Sequence, residues 1–106
     1  MDGSKVICVD IDGVIAVGTS EDYATKHIVP GAVAALKRLR ARGWHVHLYT
    51  GRHINHAELT QAWLKAHGVP YDVIAYGKPP ARLYVDDLAV RFTNWSDVLD
   101  TINRQP

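Results

Sequence analysis

The chain carries near its start the stretch Val6-Ile7-Cys8-Val9-Asp10-Ile11-Asp12-Gly13-Val14, in which four apolar residues lead into two carboxylates separated by one residue. Four consecutive apolar residues predict a strand that is buried on both faces, as in a parallel sheet covered by helices. In open parallel sheets, ligands bind beyond the carboxyl ends of the strands. We therefore expect Asp10 and Asp12 to lie at the ligand-binding edge of an α/β domain.

Length and composition set the outer limits. The 106 residues have room for one domain, spanning 1–106, with one core. A net charge of +1 favours neither a nucleic-acid partner nor a membrane surface. The single cysteine, Cys8, excludes an internal disulfide and fits a reducing compartment. No apolar stretch reaches the length of a membrane span, so we expect a cytoplasmic protein.

Hydrophobic periodicity and turn residues divide the rest of the chain into short elements. Residues 13–29 show no sustained period, and we interpret them as a loop or small flap above the sheet edge. The elements expected after the flap are a helix over 31–40, a strand over 44–50, a helix beginning at Asn55, strands over 71–76 and 81–87, a short edge strand over 90–92 and a last helix capped by Ser96.

The second predicted strand ends in Thr50-Gly51-Arg52. A hydroxyl, a glycine amide and a guanidinium at the carboxyl end of a strand form a plausible anion site, because backbone amides and the arginine fork both suit phosphate. The same three residues also fit an ordinary strand-to-helix turn. Taken alone, this stretch leaves both interpretations open.

Asp86 and Asp87 follow the predicted strand over 81–87, so a second apolar run also ends in paired carboxylates. A single aspartate at a strand end is usually a turn or cap residue. Four carboxylates at the ends of two parallel neighbours would repel one another without a cation. Hard oxygen ligands with no cysteine nearby favour Mg²⁺ over zinc, so the pattern predicts a magnesium site.

The ordered motifs carry a family resemblance. The segments 10–14 (Asp-Ile-Asp-Gly-Val), 50–52 (Thr-Gly-Arg), 78–79 (Lys-Pro) and 86–87 (Asp-Asp) resemble, in that order, the four motifs of the haloacid dehalogenase (HAD) superfamily of phosphohydrolases. The short spacing between the last two motifs is similar to that of small capsule-biosynthesis-type HAD phosphatases. We expect a Rossmann-like three-layer sandwich, with a small, mainly parallel sheet, helices on both faces and no cap domain.

The resemblance also implies a mechanism. Asp10 would attack phosphorus and form an aspartyl-phosphate, while Asp12 would protonate the leaving oxygen and then activate water. The remaining implied roles are Mg²⁺ binding by Asp10, Asp12, Asp86 and Asp87, phosphate binding by Thr50, Gly51 and Arg52, and charge neutralisation by Lys78.

Two features depart from the family pattern. Lys78 precedes Asp86 by only eight residues, so an extended chain could place it far from the phosphate, in which case Arg52 or Lys26 could supply the positive charge. There is also no room for a cap domain. The resulting open site would accept an exposed phosphate or borrow a lid from a second copy of the chain.

The expected substrate is a small phosphorylated metabolite, such as a sugar phosphate or a nucleotide. Two alternatives remain: a noncatalytic module that binds phosphate or Mg²⁺, and a phosphatase of nucleic-acid ends or phosphoproteins, which the net charge does not support. The six histidines lack cysteine partners and HExxH spacing, which argues against a dedicated zinc site. We expect His53 and His56 to line the substrate entrance or to be simply exposed.

Overall fold

A computed structural model describes residues 5–18 and 22–104 of the chain. The predicted flap over 13–29 therefore includes three residues, 19–21, that lie outside the described part. The elements in chain order are the strands β1 (Val6–Val9), β2 (Ala16–Val17) and β3 (His27–Ile28), the helix α1 (Ala32–Ala41), the strand β4 (His45–Thr50), the helix α2 (Ala57–Ala66), the strand β5 (Val73–Tyr76) and the helix α3 (Trp95–Asn103).

A three-stranded parallel sheet in the order β1-β4-β5 forms the centre of the fold. Val9 lies opposite Leu48, and Leu48 lies opposite Ile74, so these residues share one face. Val9 and Leu48 are buried on that face within a single core. The predicted α/β class with a small parallel sheet is confirmed. The described residues form neither a closed barrel nor a cap domain.

The opposite face of the sheet is more open. Cys8, Tyr49 and Val73 point to this side, and all three are exposed. Buried residues of all three helices, including Leu36, Leu64 and Val98, belong to the core that also holds Val9 and Leu48.

Helix α1 has one buried apolar face. α1 buries residues three and four positions apart, including Ala35, Leu36 and Leu39, because this spacing places side chains on one helix face. α2 begins two residues after the expected cap Asn55, because a short 3-10 helix at Ile54–His56 precedes it. The first turn of the segment is therefore tighter than the sequence suggests.

The last helix begins differently from the prediction. Asn94 caps α3, since its extended backbone lets the Oδ1 atom accept a hydrogen bond of 2.8 Å from the Asp97 amide. The prediction that Ser96 is the cap was wrong, because Ser96 already lies in the first turn. Trp95 anchors the helix by donating its Nε1–H to the Val14 carbonyl, at 2.9 Å.

The flap is a small hairpin. β2 and β3 pair antiparallel, with Ala16 opposite Ile28, and a 3-10 helix at Tyr23–Thr25 lies between them. The buried Trp63 of α2 donates its Nε1–H to the Lys26 carbonyl, at 3.0 Å. The flap is therefore tied to the helix that follows the second motif.

Residues 81–87 and 90–92 do not form the predicted strands; both segments have irregular structure. Leu83, Val85 and Leu88 are largely exposed there. A parallel crossover normally needs a dozen or more residues, and only Gly77–Pro80 separate β5 from this apolar run. Two of those four residues are prolines, which cannot donate hydrogen bonds to a sheet.

In the described chain, no helix combines the length and the apolarity that crossing a membrane requires.

Asp72 joins two elements at the start of β5 and supports a prediction about stability. Its Oδ2 atom accepts a 2.8 Å hydrogen bond from the Val46 amide, and its Oδ1 atom accepts one of 2.9 Å from Arg40. The Val46 hydrogen bond, followed by the Arg40 contacts, outweighs desolvation and holds the pKa of Asp72 below its usual value. Asp72→Ala should lower the free energy of unfolding by about 1 kcal/mol at pH 7.

Because the pKa of Asp72 is lower in the folded state, its contribution is present above the unfolded-state pKa of about 3.9 and disappears as the pH falls through the folded-state pKa. Urea unfolding at pH 7 and near pH 3 measures this difference. Asp100→Ala, on the exposed side of α3, is the control and should change the stability by less than about 0.5 kcal/mol. An equal loss for Asp72→Ala at both pH values would contradict the assignment.

Candidate active site

A tight turn after β1 sets the position of the two leading carboxylates. The Ile11 carbonyl accepts hydrogen bonds from the amides of Val14, Ile15 and Ala16, at 2.8–3.2 Å. Gly13 has a φ of 88°, a conformation that residues with a Cβ rarely adopt. The Asp10 Oδ1 atom accepts a 2.8 Å hydrogen bond from the Ile11 amide, which orients that carboxylate.

Lys78 reaches the first carboxylate. Its Nζ atom lies 3.1 Å from Asp10 Oδ2. The chain turns immediately after β5, where Gly77 has a φ of 88°, and the Lys78 amide donates to the Thr50 carbonyl at 3.0 Å. This turn brings Lys78 back across the end of β4, so the short spacing to Asp86 does not carry Lys78 away from the sheet edge.

Arg52 binds the second carboxylate in a bidentate pair. Its Nε atom lies 2.9 Å from Asp12 Oδ2, and its Nη2 atom lies 2.7 Å from Asp12 Oδ1. The third nitrogen, Nη1, donates to Thr60 Oγ1 on α2 at 3.1 Å. The guanidinium carbon lies 3.9 Å from the centre of the Tyr23 ring. Arg52 is only 2% exposed, and its guanidinium points at Asp12 and not at solvent.

Lys26, from the flap, is a second cation on Asp12. Its Nζ atom lies 3.2 Å from Asp12 Oδ1, and its side chain is 12% exposed. Burial acts to raise the pKa of Asp12, but the hydrogen bonds and charges of Arg52 and Lys26 hold that pKa below its usual value. Asp12 is therefore a carboxylate at neutral pH. The sequence suggests Lys26 only as a substitute for Lys78, and the contact of Lys26 with Asp12 has no local sequence signal.

The Thr50-Gly51 turn is part of the same site. Thr50 is buried, and its Oγ1 atom accepts a 3.1 Å hydrogen bond from the Arg52 amide. A Cβ on Gly51 would lie 3.3 Å from the Lys78 carbonyl oxygen, so a larger residue would push against the returning chain. The glycine allows the two chain segments to approach closely at the sheet edge.

Asp86 and Asp87 are not brought to the other carboxylates. Both are exposed, and Asp86 Oδ1 accepts a 2.8 Å hydrogen bond from the Leu88 amide, as in an aspartate turn. Within residues 5–18 and 22–104, no three His, Cys, Asp or Glu side chains are grouped so as to hold a metal ion. The structure thus brings together Asp10 and Asp12 with the cations Lys26, Arg52 and Lys78, but not with Asp86 and Asp87.

The resulting site is cationic. Lys26, Arg52 and Lys78 face Asp10 and Asp12, so three positive charges meet two negative ones and leave a net charge of +1. Such a cluster at the carboxyl end of parallel strands suits an anion. The charge therefore supports the predicted phosphate site, although two of its cations are bound to Asp12.

Two histidines near the site have structural contacts. His53 Nδ1 accepts a 3.0 Å hydrogen bond from the Asn55 amide, and the His56 ring packs edge-on against Tyr23 with 5.4 Å between ring centres.

A groove of about 700 Å³ lies beside these histidines, between the flap and α2. None of the predicted site residues lines that groove.

Several solved structures share this fold. A target protein from Vibrio cholerae is 25% identical, with a TM-score of 0.74 over 94% of this chain and 98% of that chain. A conserved protein from Bacteroides thetaiotaomicron is 24% identical, with a TM-score of 0.65 over 92% of this chain and 88% of that one.

The third similar structure is a chain of the Pnkp1/Rnl/Hen1 complex, which is 24% identical, with a TM-score of 0.61 over 77% of this chain. This protein covers only 30% of that longer chain. No protein-family profile and no curated protein matches the sequence. These likenesses therefore establish the fold alone.

The hydroxyl of Thr60 supports a prediction about Arg52. Thr60→Val keeps the side-chain shape but leaves one N–H of a buried guanidinium without its acceptor. We expect a loss of about 1–2 kcal/mol in the free energy of unfolding, measured by urea denaturation. Thr101→Val, a matched change on α3 away from the site, should cost less than about 0.5 kcal/mol. Equal losses in the two variants would contradict a structural role for the Thr60–Arg52 contact.

Proposed function

We propose that this protein is a Mg²⁺-dependent phosphohydrolase of the HAD type, which removes phosphate from a small phosphorylated metabolite through an aspartyl-phosphate on Asp10. One observation carries the proposal. The two carboxylates at the end of β1 are bound by different cations, Asp10 by Lys78 and Asp12 by Arg52. This separation suits a division of labour between a nucleophile and a proton-transfer group.

The reaction has two balanced steps. Before the first step, Asp12, which is a carboxylate in the described conformation, takes up a proton from solvent. An Asp10 oxygen then forms a bond to phosphorus as the bond between phosphorus and the leaving oxygen breaks, and that oxygen takes the proton from Asp12. In the second, Asp12 accepts a proton from water, whose oxygen attacks the phosphorus. Breakage of the Asp10–phosphorus bond then releases inorganic phosphate.

Lys78 and the Thr50 turn surround the phosphoryl group in this proposal. Lys78 neutralises charge on the transferred oxygens from the Asp10 side, at 3.1 Å from that carboxylate. Thr50 and the Gly51 amide contribute hydrogen bonds at the end of β4. The buried Arg52 acts mainly on Asp12, because its Nε, Nη1 and Nη2 atoms are already hydrogen-bonded.

The donor set for Mg²⁺ is incomplete in the described conformation. Asp10 and the Asp12 carbonyl offer hard oxygens at the sheet edge, whereas Asp86 and Asp87 lie elsewhere. We propose that these four residues hold the ion, which would withdraw charge from the phosphoryl oxygens. That requires the segment 81–88 to move. In the described sheet, β1 pairs only with β4. The other edge of β1 is therefore available to the moved segment as an added strand.

The exposed site fits a small phosphorylated substrate, and a second copy of the chain could act as its lid. The cytoplasmic location remains a prediction. A noncatalytic module that binds phosphate is the second candidate, since Asp12 is held in two ion pairs and the described residues contain no three-residue metal cluster. Turnover separates the two candidates.

Asp10→Asn tests the nucleophile. With Mg²⁺ present, the wild-type protein should release phosphate from an aryl phosphate or from members of a phosphometabolite panel. The variant should lose more than about a thousandfold in kcat, because the amide cannot form the covalent intermediate. Near-UV circular dichroism checks that the variant is folded. Asp100→Asn, on the exposed side of α3, is the matched control, and an active Asp10→Asn variant would contradict the mechanism.

Metal removal tests the proposed cofactor. Chelation by EDTA should abolish phosphate release, and added Mg²⁺ should restore it. Asp86→Asn should raise the Mg²⁺ concentration needed for half-maximal activity by about tenfold or more, because one anionic ligand is lost. Activity that persists in EDTA, or an unchanged Mg²⁺ requirement in the variant, would exclude this metal site.

A further inference from the structure

Lys26 is the surplus cation of the site. Arg52 already contacts both oxygens of Asp12, at 2.9 and 2.7 Å, and Lys26 shares Oδ1 with it at the longer distance of 3.2 Å. Arg52 by itself contacts both oxygens of Asp12, so the carboxylate keeps a bidentate partner when the Lys26 ammonium turns away. Lys26 can therefore exchange Asp12 for another anion without leaving that carboxylate unpaired.

The surrounding contacts allow that exchange for Lys26 alone. Arg52 is held by Thr60 and by the ring of Tyr23, and its side chain is almost completely buried. Lys26 is fixed through its backbone, because its carbonyl accepts the hydrogen bond from Trp63. Its side chain has no other ion pair in the described structure, and the Tyr23 ring lies 5.8 Å from its Nζ atom. The ammonium can turn while the flap stays in place.

The position of Lys26 also indicates which part of a bound substrate its side chain would contact. If the proposed function holds, on which this inference rests, Asp12 transfers its proton to the leaving oxygen. Lys78 lies at the other carboxylate, on the side of the transferred phosphoryl group. A cation within 3.2 Å of Asp12 therefore lies on the leaving-group side.

We propose that Lys26 is a specificity-determining residue that selects phosphate esters whose leaving group carries a second anionic group, such as a carboxylate, close to the ester oxygen. The ion pair between Lys26 and that group replaces the Lys26–Asp12 contact. Lys26 of the flap thus binds the anionic group of the leaving group, while Lys78 and the Thr50 turn bind the phosphate common to all substrates.

The test compares two substrates that differ by one charge, 2-phosphoglycolate and the phosphate ester of glycolamide. The wild-type protein should show a kcat/KM about tenfold or more higher for the acid than for the amide. Lys26→Met should bring this ratio close to one, and Lys26→Arg should retain most of it. Lys5→Met is the matched control, because Lys5 lies beside Trp44 at the opposite end of β1.

The ratio distinguishes specificity from structural damage, because a loss of folded protein lowers both rates equally. A ratio near one in the wild-type protein, or a ratio unchanged by Lys26→Met, would overturn the inference while leaving the phosphatase proposal intact. Absence of phosphate release from every ester, including an aryl phosphate, would overturn the proposed function instead.

Binding provides a second test, independent of turnover rates. The inactive Asp10→Asn protein should be stabilised against heat more by 2-phosphoglycolate than by the amide ester. The added change Lys26→Met should remove that difference. Equal stabilisation by the two esters would overturn the role of Lys26 whatever the outcome of the turnover assay.

Discussion

The arrangement of the site depends on one ion pair, between the buried guanidinium of Arg52 and the half-buried carboxylate of Asp12. A buried guanidinium is tolerated only when its charge and its N–H groups are satisfied. Its partners come from three separate parts of the chain: the turn after β1, Thr60 on α2, and Tyr23 in the flap. These three parts therefore have to be in place together, which couples the flap to the carboxylates it covers.

The same ion pair gives the two leading carboxylates different properties. Asp12 is fixed by two cations, and its pKa is lowered by them despite its burial. Among residues 5–18 and 22–104, Asp10 is paired with one cation, Lys78, and its other oxygen is oriented by the adjacent Ile11 amide. Two aspartates separated by one residue thus acquire different environments from elements far apart in the sequence. Environment of this kind assigns acid–base and nucleophilic roles to chemically identical groups.

The sequence predicted the local elements of this fold well and its long-range contacts poorly. β1, β4 and both longer helices have apolar patterns that depend on residues within one element. The run over 81–87 has the same pattern, yet it forms no strand, because a strand also needs a partner and a connection long enough to reach it. The pairing of Lys26 with Asp12 has no local pattern, since it depends on how the flap hairpin packs on Trp63.

The charges link the described site to the metal that it is proposed to bind. Three cations and two carboxylates give +1 in the described conformation. Moving Asp86 and Asp87 to the sheet edge would change this sum to −1, and one Mg²⁺ would restore it to +1. Four carboxylates without the ion would repel both one another and a phosphate, so movement of the segment 81–88 and metal binding favour each other. The net charge of the site would then be +1 both in the described conformation and in the form with Asp86, Asp87 and Mg²⁺ at the sheet edge. In the second form, part of the positive charge would lie on the ion.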